Sequence, residues 1–344
     1  MSDYTLRPNA PLAALSTFRV TARAQLLADV RSVDGLADLF AHPDYARLPA
    51  LVLGEGSNLL LAGDVPGLLV SLSLPGIDVL KDDGNSALIR VAAGERWDDL
   101  VRWSVARGLH GFENMALIPG SVGASPIQNI GAYGAEVAEF IRTVEALDRQ
   151  TLDIVRLPNS ACCFGYRDSI FKQQPERWVI VAVEFELDRQ RPLRLDYAGV
   201  RETLSSMGVD APRPLHVAEA VSRLRAAKLP NPILIGNAGS FFKNPTVDRS
   251  IWEPLTHSFP SMPVFAHASD SAKLSAGWLI EQCGWKGRRE GDAGVSDMHA
   301  LVLVNHGNAS GLQILELARR VAASVKERFG VEIEPEPRIV GATW

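Results

Sequence analysis

The stretch Ile118-Pro119-Gly120-Ser121-Val122-Gly123-Ala124-Ser125-Pro126-Ile127-Gln128-Asn129-Ile130-Gly131-Ala132-Tyr133-Gly134 holds four glycines and two prolines in seventeen residues, and no Asp, Glu, Lys or Arg. A loop facing solvent would be more charged, and Val122, Ile127 and Ile130 are apolar. The ribbon reads as backbone wrapped around something large, flat and partly apolar, with its amides serving as hydrogen-bond partners for that ligand. The alternative is a buried turn between strands, for which seventeen uncharged residues are long.

The surrounding chain bounds what that ligand and its protein can be. At ~100–200 residues per domain, 344 residues predict two or three domains with a cleft between them. Hydrophobic residues make up 47% and charged residues 22%, which excludes disordered and fibrous classes. The net charge of −5 comes without a dense Lys/Arg run, so no nucleic-acid partner is expected. Three cysteines without a CxxC spacing argue against a disulfide framework and a cysteine zinc site. No HExxH, HxH or Asp-rich loop supports a metal. The first twenty residues lack a basic start followed by an apolar core, and no apolar run approaches the ~18 residues of a membrane span. The expectation is a cytoplasmic monomer with no membrane partner.

Outward from the ribbon, Leu48–Leu53, Gly67–Leu72 and Ala87–Ala93 read as strands. Trp97–Arg107 reads as a helix, with Trp97, Leu100, Val101 and Ser104 at i, i+3, i+4 and i+7. Val144–Leu147, Leu152–Val155 and Trp178–Leu187 read as strands, the last by its alternation. The later chain predicts helices over His216–Ala227, Asp270–Cys283 and Gly311–Phe329, with a buried strand Leu301–Val304. A small, Pro-rich segment near 205–214 reads as a linker.

Four further stretches could carry chemistry. In Gly54-Glu55-Gly56-Ser57-Asn58 a strand runs into glycines and small polar residues. Such a loop can cradle a pyrophosphate or be a tight hairpin, and no helix or third glycine makes it a Rossmann fingerprint. In Phe164-Gly165-Tyr166-Arg167-Asp168-Ser169 a stacked Arg167 can present a fixed fork of donors to a carboxylate or enolate, or pair with Asp168 at the surface. Gly236-Asn237-Ala238-Gly239-Ser240-Phe241-Phe242 delivers Ser240 ahead of two aromatics. It is not a hydrolase elbow; Ser240 is either a proton donor in a water-poor site or a turn residue. Glu334-Pro335-Glu336-Pro337-Arg338 places two extended glutamates before prolines, sharing a face with Arg338 and kept at a sheet edge by Pro337. It is an acid/base or anion site, or a solvated tail.

Together with KLPNPILIGNAGSFFKNP at 228–245 and AGWLIEQCGWKG at 276–287, these stretches resemble the UDP-N-acetylenolpyruvoylglucosamine reductase family of flavoenzymes of bacterial peptidoglycan synthesis. The resemblance spans nearly the whole chain, and RPLRLDYAGV at 191–200 is similar to the insertion of its type I members. It implies an α+β fold: a two-lobed FAD-binding module of the p-cresol methylhydroxylase type over 1–213 (lobes 1–66 and 67–213), a substrate-binding C-terminal α+β domain over 214–328, and a final segment 329–344 returning to the FAD region. It implies non-covalent FAD held by Gly54, Glu55, Gly56, Ser57 and Asn58 and by Pro119, Gly120, Ser121, Val122, Gly123, Ala124, Ile127, Asn129 and Gly131. It implies catalytic Arg167, Ser240 and Glu336, with Tyr197, Arg225, Lys228, Asn244 and Lys273 on the UDP-sugar. The implied reaction takes a hydride from NADPH through the flavin to UDP-N-acetylglucosamine enolpyruvate. Three positions depart from the usual pattern: Ser16 before Thr17-Phe18, Pro337, and His299. Another non-covalent FAD oxidoreductase of the same superfold and a non-catalytic nucleotide-sugar binder are the alternatives.

Overall fold

The computed structural model describes residues 3–268 and 270–344. Contacts group the chain into two compact units: one holds the chain up to Ala10, 24–55 and 66–226, the other 11–23, 56–65 and 227–344. These cuts fall at other places than 66/67 and 213/214, because two early segments hydrogen-bond with the C-terminal part of the chain.

The first unit contains two sheets. Tyr4–Pro11, Arg23–Val30, Val65–Leu72 and Ala50–Leu53 form one, in that order, with the last two parallel. The other is antiparallel and runs Ile154–Pro158, Ile141–Asp148, Trp178–Asp188, Ser86–Ala92, Ile77–Asp82. The central Trp178–Asp188 is buried at every position from 178 to 185. Its residues serve two apolar clusters: Ile180, Val183 and Phe185 pack in one, Val179 and Val181 in the other. The expected one-sided alternation is therefore absent, since both faces are covered. The predicted strand Leu152–Val155 starts later, at Ile154, because Leu152 is left-handed (φ 64°) in the turn after Asp148.

Trp97–Ala106 is helical and buries Trp97, Leu100, Val101 and Ser104, the predicted face. Trp97, Phe112 and Phe185 pack ring against ring, with Phe140 against Phe112, at centroid distances of 4.9–6.1 Å. The Trp97 indole N–H donates to the Met115 carbonyl at 3.0 Å, so the aromatic core also fixes the approach to the ribbon. Acids buried in the antiparallel sheet are paired: Arg156 bridges Glu145 and Glu184, and Arg90 takes the other Glu145 oxygen.

In the second unit, Gly236–Ser240, Val302–Asn305, Ala293–Val295 and Arg289–Glu290 form a sheet in that order. The helix Gly311–Phe329 has the predicted bounds; Ser310 and Gln313 form a capping box and Gly330 closes it in the left-handed region. A Cβ on Gly311 would lie 1.8 Å from the Leu61 carbonyl oxygen, so only glycine lets this helix meet the strand Leu59–Leu61. The predicted helix Asp270–Cys283 is a strand followed by a shorter helix. Ser271–Leu274 pairs with Thr246–Asp248 and Val264–Ala268, burying Ala272 and Leu274 alternately. The helix starts only at Ala276, where the Ser275 hydroxyl accepts from Trp278 N–H.

Residues 11–23 and 56–65 complete this unit. Asn237 N–H donates to the Thr17 carbonyl, the Asn305 side chain to the Phe18 carbonyl, and Thr17 N–H to the Gly56 carbonyl. Phe18 is fully buried. Ser16, one of the departures, keeps its hydroxyl buried with no partner among the described residues. The loss of packing in Phe112→Ala is expected to destabilise the protein by about 3–5 kcal/mol; chemical denaturation with a midpoint unchanged from wild type would show that this aromatic cluster does not hold the first unit.

Candidate active site

In the first unit the ribbon is tied down along its length. The Glu55 carboxylate accepts from Gly120 N–H at 2.9 Å and pairs with Arg96 at 2.8 Å. A Cβ on Gly54 would lie 2.6 Å from Ser121 Oγ, and one on Gly123 2.6 Å from Ala93 Cβ. The amides of Val122, Gly123, Ala124, Ser125, Ile127, Asn129 and Ile130 all donate to backbone carbonyls. The expectation that these amides serve a ligand is corrected: a short 3-10 turn over Val122–Ala124 and bonds to Glu95 and Ala93 take them up. What the ribbon leaves exposed is apolar or small: Pro119, Ile127 and Gly134, with Leu117 exposed just before it. An uncharged, part-apolar surface on a fixed backbone fits a flat aromatic cofactor, with Glu55 acting as the clamp behind it.

Asn129 and Arg167 lock the far end. Asn129 is buried and left-handed (φ 44°); its side chain donates to Glu136 and the Gly165 carbonyl and accepts from Ala138 N–H. Arg167, also left-handed (φ 55°), donates to the carbonyls of Asn129 at 3.2 Å and Gly131 at 2.9 Å, with its guanidinium 5.4 Å from the Tyr166 ring centre. Two of its five donors thus fix the plane of the fork. Asp168 accepts from Gln173 and from its neighbour Ser169. Among the described residues, eight non-glycine residues are left-handed, and Leu117, Asn129, Tyr133, Cys163 and Arg167 belong to this one region. Such strain, ~1–3 kcal/mol each, concentrates at functional sites.

The remaining residues of this unit lie beside the end of the ribbon. The Tyr133 and Tyr197 rings pack edge to face at 4.9 Å. Sequence reasoning missed Asn114, whose buried amide donates to the carbonyls of Tyr133 and Arg194, both at 3.0 Å, and so joins the two tyrosine segments. Arg225 faces Tyr133 and Asp98; burial holds its pKa below the usual arginine value, and its Nε is buried with no acceptor among the described residues. An orphaned buried donor beside Tyr133 suits an anionic ligand.

In the second unit Ser240 leaves a β-bulge. Asn237 pairs with Val304 and Ser240 with Val302, the register shifting between them; Gly239 is left-handed (φ 69°) and its N–H donates to Asn237 Oδ1. Bulges re-aim side chains beside active sites. The Asn237-Ala238-Gly239 spacing is an Asx-turn pattern, the local sequence signal for this bulge.

Glu336 stands next to this strand. Lys243 N–H donates to the Glu334 carbonyl at 3.0 Å and Glu336 N–H to the Phe241 carbonyl at 2.8 Å. Beyond Pro337 the chain changes partner: Arg338 N–H donates to the Asn58 carbonyl at 3.1 Å, and Arg338–Val340 runs parallel to Leu59–Leu61. The Asn58 side chain donates to the Glu336 carbonyl at 3.4 Å. The predicted shared face of Glu334, Glu336 and Arg338 is corrected, because the chain bends at 336–337 and Glu334 turns to Lys243. Pro337 is buried at the switch, where the residue without an N–H meets the point of changing partners, not at a sheet edge. Asn244 Oδ1 accepts from Ala276 N–H at the start of its helix, and Lys273 stands opposite Thr246. Lys228 is exposed at the end of the helix Pro214–Lys228.

Residues 24–157 match an FAD binding domain, and residues 231–340 match the C-terminal domain of UDP-N-acetylenolpyruvoylglucosamine reductase. The fold is thus that of an FAD-binding oxidoreductase with a C-terminal domain of mixed helix and strand, as expected. Over the full length of both chains this one is 55% identical to the UDP-N-acetylenolpyruvoylglucosamine reductase of Xanthomonas oryzae pv. oryzae (strain PXO99A). It is 54% identical to that of Xanthomonas euvesicatoria pv. vesicatoria (strain 85-10), covering 100% of this chain and 98% of the other. The crystal structure of the Thermus caldophilus enzyme superposes with a TM-score of 0.68 at 26% identity, covering 98% of each chain. The chain belongs to the UDP-N-acetylenolpyruvoylglucosamine reductase family.

Gly239→Ala is expected to cost about 1–2 kcal/mol, since alanine pays for the left-handed backbone, and to misdirect Ser240. Equal thermal stability of variant and wild type would show that the bulge tolerates a side chain.

Proposed function

We propose that this chain reduces the enolpyruvyl double bond of UDP-N-acetylglucosamine enolpyruvate to give UDP-N-acetylmuramate, with NADPH as hydride donor and non-covalent FAD as the bound cofactor, in cytoplasmic peptidoglycan precursor synthesis. The observation that carries the reading is the packing of Ser240 and Glu336 on hydrogen-bonded neighbouring segments of one unit, with Asn58 of the cofactor loop holding the second. The ribbon and the 54–58 loop would hold FAD, which supplies hydride transfer when bound. The absence of His and Cys from both stretches supports non-covalent attachment.

Adding hydride to the terminal methylene of an enolpyruvyl ether leaves negative charge on the neighbouring carbon and its carboxylate. Ser240 would give its hydroxyl proton to that carbon, a role worth ~10²–10⁴-fold in rate. Arg167, its fork already aligned by two ribbon carbonyls, would neutralise the growing charge, an effect of ~3–4 kcal/mol where one such donor is removed. Glu336 would stand by this charge in its protonated or hydrogen-bonded form, because an ionised carboxylate opposes it. Arg225, with its orphaned Nε, would take the diphosphate together with Lys228, and Tyr197, Asn244 and Lys273 would hold the rest of the nucleotide sugar.

The visible spectrum of the purified protein tests this directly. A flavin band that bleaches with NADPH and returns with UDP-N-acetylglucosamine enolpyruvate is expected; a colourless protein that binds no added FAD overturns the reading. Ser240→Ala is expected to keep bleaching by NADPH nearly intact and to slow the return ~10²-fold or more. Comparable losses in both half-reactions would remove Ser240 as proton donor. Arg167→Lys, a point charge in place of a fork, is expected to lose most turnover, and near-wild-type activity would exclude Arg167 from the chemistry.

A further inference from the structure

His299 closes the turn before the strand Val302–Asn305. Val302 N–H donates to the His299 carbonyl at 3.0 Å, and Leu301 N–H donates to His299 Nδ1 at 3.2 Å. The Leu301 carbonyl accepts in turn from Phe241 N–H at 2.7 Å, and Ser240 stands opposite Val302. Two hydrogen bonds therefore lead from the imidazole to the backbone immediately after Ser240.

An Nδ1 that accepts fixes the tautomer: the ring is neutral and carries its proton on Nε2. An imidazolium has a proton on both nitrogens, so Nδ1–H would oppose Leu301 N–H and the bond would break. We infer that His299 is a positioning residue for Ser240, keeping the Phe241–Leu301 bond in place only while its imidazole is neutral. This rests on Ser240 being the proton donor proposed above.

The surroundings of His299 favour the neutral ring. Burial disfavours the imidazolium most, and Lys228 and Lys286 oppose it further; among the described residues Glu281 favours it. The folded-state pKa thus lies below that of the unfolded chain, ~6.5. The arrangement is intact at neutral pH. As pH falls below the unfolded value the unfolded chain takes the proton first, and stability drops until pH passes the depressed folded value, then drops no further on this account.

The test is stopped-flow reoxidation of the NADPH-reduced holoenzyme by UDP-N-acetylglucosamine enolpyruvate, from about pH 4.5 to 8. In His299→Gln the amide oxygen can accept from Leu301 N–H and does not titrate. That variant is expected to match wild type at pH 8 and to lose the acid fall in rate that wild type shows. In His299→Leu, with no acceptor, a loss of ~10–100-fold is expected at every pH, the scale of misplacing a catalytic group by a fraction of an ångström to an ångström. Reduction by NADPH is expected to be unchanged in both. The inference is overturned by an acid limb that is the same in wild type and His299→Gln, by a wild-type rate flat across the range, or by His299→Leu reoxidising as fast as wild type at pH 8. A wild-type protein that NADPH reduces and the enol ether does not reoxidise sinks the functional reading instead, and the inference with it.

Discussion

The second unit depends on one clasp. The segment 334–340 gives the N–H of Glu336 to Phe241 on one side and the N–H of Arg338 to Asn58 on the other, with Pro337 buried where the partners change. Each bond is an ordinary one, worth ~0.5–1.5 kcal/mol net. Together they determine which segments lie beside Glu336. The strand that carries Ser240 is its neighbour through Phe241, and the loop that begins at Gly56 is its neighbour through Asn58. A displacement of any of the three segments would be felt by the other two.

The first unit solves a different problem. A backbone stretch with almost no charged side chains has to be held still without packing a core of its own. It is held through its amides, by the side chains of Glu55 and Arg167 from outside, and by its own Asn129, which reaches out to the Gly165 carbonyl. The cost is visible in the left-handed residues gathered there. The aromatic cluster around Trp97 supplies the rigid floor, since the indole itself bonds to Met115 just ahead of the ribbon.

Much of this was legible beforehand. Periodicity located the helices Trp97–Ala106 and Gly311–Phe329 because each has one apolar face and clear ends. It failed for 270–283 because four residues of strand run directly into a helix, and only the Ser275 cap marks the change. Composition singled out the ribbon, but it could not say that seven of its amides were already engaged: Val122 and Gly123 bond to Glu95 and Ala93, far off in sequence, and the other five close local turns within the ribbon. The resemblance named Ser240 and Glu336; their adjacency is a long-range fact that local sequence does not contain. Asn114 was missed because its amide bonds to backbone carbonyls, which leave no mark in side-chain patterns.

The clasp also sets a timetable for biosynthesis. Asn58 and Glu336 are 278 positions apart, and segment 11–23 hydrogen-bonds to Asn237 and Asn305. At ~5–20 residues per second of translation, the early pieces of the second unit wait many seconds for their partners. The first unit has its whole chain available after residue 226 and can condense on the ribosome. The second stays unfinished until the last strand emerges, and during that interval the apolar Leu59-Leu60-Leu61 has no strand beside it, a period in which a chaperone would matter most.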